Sequence, residues 1–234
     1  MDTQNVITPL ADASTTVVPM LRPGDRLTQA EFHRRYERMP DDAKFELIGG
    51  VVSMASPMRS DHGDHHFQLN TVAGVYVAST PGVRGSDNAS VILGHNSEPQ
   101  PDVSLRLLPE FGGNTALNNR RYITGAPEWL AEVSDSTEEF DLGEKRLDYQ
   151  RNGVLEYVVL ALPQRRLRSF DLQVGQELPM DSDGVFRSRV LPGFWIDEAA
   201  LLDLDLPRLL QTLNQGLASP EHAAFVAELQ RRKG

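Results

Sequence analysis

Hydrophobic and polar residues recur along this chain with two different periods, and the changes of period mark its elements. Phe32 and Tyr36 lie four apart behind Thr28-Gln-Ala-Glu31, a capping-box pattern, so a helix is predicted from Thr28 until Pro40 ends it. The next apolar run, Lys44-Phe-Glu-Leu-Ile-Gly-Gly-Val-Val-Ser-Met54, hinges at Gly49-Gly50 and predicts two short strands in a tight hairpin. Phe67, Leu69, Val72 and Tyr76 restore a partial helical period over about 61–79. Strands are predicted over 83–93, 101–107 and 127–133, with a polar loop at 94–99 and the third strand apolar enough to be central.

Ser136-Thr137 can cap a helix that runs to Asn152-Gly153, a pair suited to stopping one. Residues 155–162 then read as a buried strand and 166–174 as a strand with one wet face. After Gly184 the pattern gives a short strand, the turn Leu191-Pro-Gly193 and acidic helical segments. Ser219-Pro220 is an N-cap followed by proline at the first helical position, which opens a last helix to about Arg232. Strands and helices in this mixed order predict an α/β or α+β chain rather than a doubly wound series.

Composition narrows the chemistry. The 234 residues contain no cysteine, so no disulfide, thiolate zinc site, iron–sulfur cluster or cysteine nucleophile is available, and a metal would have to sit on oxygen or imidazole. The formal net charge is −10, which argues against a domain that grips nucleic acid by bulk charge. The first twenty residues carry neither Lys nor Arg and no sustained apolar run, and no stretch reaches the roughly 18 apolar residues of a membrane span. A cytoplasmic protein without membrane attachment is expected. Residues 1–26 read as a flexible arm in which Val17, Val18, Met20 and Leu21 can dock on a neighbour.

Three carboxylates stand where carboxylates are expensive. Glu46 lies between Phe45 and Leu47, Asp102 leads into Val103, and Glu132 is enclosed by Ala131 and Val133, each in or at the edge of an apolar strand. Carboxylates converging from adjacent strands make an oxygen-ligand site for a hard divalent cation, Mg²⁺ or Mn²⁺, which can stabilise charge on a phosphoryl oxygen. Lysine is rare, only Lys44, Lys145 and Lys233, so each can be weighed singly. Asp141, Lys145 and Tyr149 recur at i, i+4 and i+8 and share one helical face, where Lys145 can serve the site or simply pair with Asp141. Glu46 has its own structural alternative in Lys44 or Arg59. His62 and His66 are also spaced for a zinc ion, but with no third ligand indicated the segment 61–66 reads as a solvated helix start. Arg120-Arg121 and Arg165, Arg166 and Arg168 suit phosphate contacts or a solvated surface equally well.

Glu46-Leu-Ile-x-Gly50, Ser56-Pro57 with His62 after it, Gln100-Pro-Asp102, Ala126-Pro-Glu-Trp-Leu-Ala-Glu132-Val-Ser, Asp141-Leu-Gly-Glu-Lys145 with Tyr149, Gly153-Val-x-Glu-Tyr157 and Leu191-Pro-Gly193 occur in one order. That ordered set resembles the Uma2 family (domain of unknown function 820) of the PD-(D/E)XK restriction-endonuclease-like superfamily. The resemblance implies a restriction-endonuclease-like core over 27–203, a mixed central sheet flanked by helices, followed by a C-terminal helical extension over 204–234. It implies a Mg²⁺- or Mn²⁺-dependent endonuclease acting on DNA, with Asp102, Glu132 and Glu46 as metal ligands and Lys145 as the catalytic lysine. The superfamily's usual lysine position, two beyond the second acid, is Ser134 here, so Lys145 on the helix is its stand-in. His62, Tyr149 and Asp141 become accessory residues. Gly49 and Val51 stand where the family usually carries acids.

Two other classes remain in view. One is a nuclease fold that binds or regulates without turnover, and the other a carboxylate-pair hydrolase such as a glycosidase, which would need an aromatic sugar cleft. Phe225, Val226 and Leu229 form a short apolar stretch on the last helix that suggests a homodimer.

Overall fold

The computed structural model describes residues 18–40, 42–54 and 59–233. The arm up to Val17 and the Ser56-Pro57 motif lie outside the described residues.

Thr28 caps α1 (Gln29–Tyr36) by accepting from the Glu31 amide at 3.4 Å, while the Glu31 carboxylate turns to Arg34 and Arg35 instead of closing the box. β1 (Phe45–Ile48) and β2 (Val51–Met54) form the predicted hairpin, and its hinge glycines take φ of +57° and +81°, the left-handed region that a two-residue turn of this kind requires. Phe32, Phe45, Leu47 and Val52 bury against one another beneath α1, and Leu21 closes that cluster. The part of the arm that is described therefore docks on its own chain.

A six-stranded sheet forms the centre, in the order β11 (Gln176–Leu178), β10 (Arg166–Asp171), β9 (Glu156–Ala161), β8 (Trp129–Ser134), β5 (Val103–Leu107), β3 (Val83–Asp87). β8 and β9 run parallel and the other neighbours antiparallel, so the sheet is mixed. The predicted strand over 83–93 breaks at Asn88, whose φ of +49° ends β3 and lets β4 (Val91–Ile92) leave for a small separate sheet with β6 (Ala116–Leu117) and β7 (Ile123–Thr124).

Alternation of side chains across the sheet divides the core in two. Trp129, Ala131 and Val133 of β8, Val158 and Leu160 of β9, and Val103, Leu105 and Leu107 of β5 face α2 (Ser60–Ser79) in the larger core. Leu130, Tyr157, Val159 and Phe170 face the opposite way, against Tyr149 and Val154. The helix predicted after Ser136-Thr137 arrives in three pieces: α3 (Glu138–Phe140), a π-helical turn over Asp141–Lys145, and α4 (Arg146–Arg151).

Past β12 (Val185–Arg187), the chain forms β13 (Trp195–Asp197), a strand the hydropathy pattern had given to helix. Then come α5 (Glu198–Leu202), α6 (Leu206–Leu217) and α7 (Pro220–Lys233). Leu201, Leu209, Leu213 and Leu229 are buried in the larger core, with Phe225 packed beside them. Phe225 and Leu229 of α7 thus meet the chain's own core. Among the described residues no helix is long and apolar enough to cross a membrane.

Candidate functional site

Strand parity places the acids. Val103 pairs with Ala131, so one step further along these antiparallel strands Asp102 comes abreast of Glu132. Side chains at 102, 130, 132 and 134 then share the face turned towards α4. The pairing is visible in the contacts: the Val133 amide donates to Asp102 Oδ2 at 2.8 Å, and the Asp102 amide lies 3.4 Å from Glu132 Oε2.

Lys145 descends on this pair from the π-helical turn. Its Nζ lies 2.9 Å from Glu132 Oε1, 3.1 and 3.2 Å from the two oxygens of Glu46, and 4.0 Å from Asp141 Oδ1. The structure therefore brings together four of the residues singled out from the sequence, and the simple i, i+4 pair with Asp141 is the longest of Lys145's contacts. Lys44 and Arg59 are not the partners of Glu46, whose second neighbour is the Gln100 amide, donating at 2.6 Å. Tyr149 donates its hydroxyl to Glu132 Oε1 at 2.8 Å, whereas Tyr157 reaches only the Asp141 carbonyl, at 3.3 Å. Ser134, at the position where the superfamily usually has lysine, donates to Asp141 Oδ2 at 2.6 Å, and Thr137 does the same. Thr137 was expected to cap the helix. It holds the acid instead.

Charge and burial are balanced here. Lys145 is 4% exposed and Glu132 5%. Burial pulls the Lys145 pKa down, but Glu132, Glu46 and Asp141 outweigh it and hold the ammonium well above the usual lysine range. Glu132 is driven up by burial, against the attraction of Lys145 and with Asp102, Asp141 and Glu46 adding to the rise. Asp102 goes the other way: burial pushes it up, yet His62, the Val133 amide and Lys145 hold it below the ordinary carboxylate range. His62, half-buried, is raised despite its burial because Asp102 faces it, with Asp135 and Asp141 further off.

These groups line a cleft of about 760 Å³ bounded by the hairpin, the start of α2 and the π-helical turn, with Lys44, Arg59 and Asn88 on its walls.

A family model described as "Putative restriction endonuclease", that of Uma2, matches residues 30–204. The chain belongs to the Uma2 family. A crystal structure of "a putative nuclease belonging to DUF820" from Anabaena variabilis ATCC 29413 superposes with a TM-score of 0.58 at 14% identity, covering 73% of this chain and 96% of that one. At that identity the likeness establishes a shared fold. A search of the curated proteins found no match.

Around the centre of this Uma2 protein lie residues to which the sequence assigned no part in the site. Asp148, one turn beyond Lys145, accepts from the Gly49 amide at 3.1 Å and from Ser97 Oγ at 2.5 Å, and so ties α4 to the hairpin that carries Glu46. An acid on a helix with alternating charge reads as solvated surface, so only the fold reveals it. His65 and His66, read as part of a solvated helix start, are both buried: His65 bonds the Asp61 carbonyl and faces α5, while His66 meets the Asp102 carbonyl oxygen. Of the arginines suited to phosphate contacts, four are engaged with acids, Arg120 with Glu37, Arg165 with Asp203, Arg166 with Glu198 and Arg168 with Glu177, while Arg121 is exposed.

Proposed function

We propose that this Uma2 protein is a divalent-metal-dependent nuclease that hydrolyses phosphodiester bonds in DNA. The observation that carries the reading is the convergence of Glu132, Glu46 and Lys145 beside Asp102 at the floor of one cleft, from four different elements. Nothing in the packing of the sheet calls for so many charges in one buried place, and each would be costly there without a task.

The donor set fits a hard cation. Asp102 and Glu132 offer carboxylate oxygens from adjacent strands, and Glu46 adds another from the hairpin. A bound Mg²⁺ or Mn²⁺ supplies Lewis-acid stabilisation of a phosphoryl oxygen and lowers the pKa of its water. The chain's own residues do the rest. Lys145, held charged, is the donor within reach of a phosphate that lies against Glu132 and Glu46, where it can neutralise developing negative charge. Tyr149 fixes the Glu132 carboxylate, and Ser134 with Thr137 fixes Asp141, so that Lys145 is aimed by side chains that cannot turn away. Asp102, kept ionised below the usual range, stays able to act as a ligand at neutral pH. Arg59, exposed on the cleft wall, can meet the flanking backbone.

The test is conversion of supercoiled plasmid to nicked or linear forms with Mg²⁺, with Mn²⁺ and with chelator. Wild type is expected to cut only with metal, and Asp102→Ala and Lys145→Ala to lose at least about 100-fold in rate. Equal cutting by either folded variant contradicts the assignment. A second reading, a nuclease fold that binds without turnover, is favoured by Ser134 standing at the usual lysine position with its hydroxyl committed to Asp141. It predicts cation-induced stabilisation with no cutting at all.

A further inference from the structure

Among the described residues, one set of three side chains offers ligand atoms that all lie within 4.8 Å of one another, and it is not the carboxylate cluster around Lys145 but His62, His66 and Asp102. The i, i+4 spacing puts both imidazoles on one face of α2, above the entry to β5, with ring centroids 5.8 Å apart. His62 Nε2 stands 3.6 Å from Asp102 Oδ2 and, although buried, has no hydrogen-bond partner. A buried ring nitrogen left without a partner calls for one.

The second imidazole is crowded rather than orphaned. His66 Nε2 lies 2.9 Å from the Asp102 carbonyl oxygen, 2.9 Å from the Asn70 amide nitrogen and 3.1 Å from Asp87 Oδ1. One ring nitrogen carries either a proton or a lone pair, so it cannot satisfy three such neighbours at once. A cation would satisfy the two oxygens, of Asp102 and Asp87, though not the Asn70 amide, which is itself a donor. Ligands at Zn²⁺ distances of about 2.0–2.1 Å lie about 3.3 Å apart in a tetrahedron, so the 3.6 Å between His62 and Asp102 needs little closure.

We propose that His62, His66 and Asp102 bind a transition-metal ion of the Mn²⁺, Co²⁺ and Zn²⁺ class on the α2 side of Asp102. Two imidazoles with a carboxylate suit those ions, whereas Mg²⁺ holds to oxygen. Asp102 is shared with the cation position of the nuclease reading, but the ligand set is read from geometry alone and binding requires no turnover.

Calorimetric titration of the full chain with Co²⁺, read together with the visible spectrum of the bound ion, tests this. Wild type takes up Co²⁺ with imidazole ligation. His62→Ala and His66→Ala each weaken that binding at least about tenfold. If buried His66→Ala does not fold, His62→Ala on the cleft wall decides alone. No Co²⁺ uptake by wild type, or unchanged Co²⁺ affinity in folded His62→Ala, overturns the proposal. If Co²⁺ binding falls in His62→Ala while wild type cuts no DNA with any cation, the nuclease reading fails and this site stands.

Discussion

Lys145 is the residue on which the cleft turns, because its ammonium is what makes the buried Glu132 and Asp141 and the partly buried Glu46 tolerable together. Removing it leaves Glu132, Glu46 and Asp141 facing one another without a cation, and breaking a buried pair from one side costs about 3–5 kcal/mol. Lys145→Met is therefore expected to lower the unfolding free energy by about that much in urea titration, and an unchanged midpoint would mean that the acids do not depend on it. That these residues stand out from their strands was legible in the sequence for a simple reason. A charge inside an apolar strand has few reasons to be there, and strand parity fixes which face it takes. His66 was not legible in the same way, since an imidazole near a helix start is compatible with water as well as with a ligand set. Asp148 was hidden for the same reason, and its meaning lies in the Gly49 amide that only the fold brings to it.

At the scale of elements, the hairpin, the central strand β8, the buried strand β9 and the last helix follow the period of their apolar residues, because each buries one face or both. The π-helical turn was not readable. Asp141 and Lys145 carry the ordinary i, i+4 spacing, and the widened turn arises from tertiary contacts, Ser134 and Thr137 pulling on Asp141 while Glu132 and Glu46 hold Lys145. β13 escaped because three residues beside an acidic helix give too short a period to detect. Helix α2, by contrast, carries an avoidable weakness. Gly74 lies on its exposed side, and a Cβ built there would meet nothing within 4 Å. Gly74→Ala should stabilise the protein by about 0.5–1 kcal/mol, read as a raised melting temperature, and a loss of stability would show that the exposed side of α2 is not free to accept a side chain.

For the molecule as a whole, stability should depend on pH through a carboxyl that does not line the cleft. Glu156 at the start of β9 is buried, accepts from Ser188 Oγ at 2.5 Å and from the Arg189 amide at 2.9 Å, and has the charges of Arg189 and Asp171 nearby. Burial pushes it up to about 7 from 4.5. Its folded pKa lies above the unfolded one, so the stabilising contribution is complete below about 4.5 and is lost as pH rises towards 7. That loss amounts to about 3 kcal/mol. Glu156→Gln should remove this component from the pH dependence of unfolding, and a profile identical to wild type would contradict it.

The excess of acids over the whole chain, a net charge of −10, bears on function as well. With Arg120, Arg165, Arg166 and Arg168 each paired to a carboxylate, DNA affinity should be weak at physiological salt. A nitrocellulose-filter titration at that ionic strength reads this directly, and tight binding would contradict it. The cation at the cleft floor would then reverse the local potential where a phosphate approaches.

The central claim is that Asp102, at the entry to β5, and Glu132 on β8, abreast of one another, form the place where a divalent cation is held for phosphodiester hydrolysis. Anomalous diffraction from a crystal soaked in Mn²⁺ tests it most directly. The account predicts a peak within ligand distance of carboxylate oxygens of both Asp102 and Glu132. A fully occupied Mn²⁺ elsewhere, with none between these two residues, would contradict it.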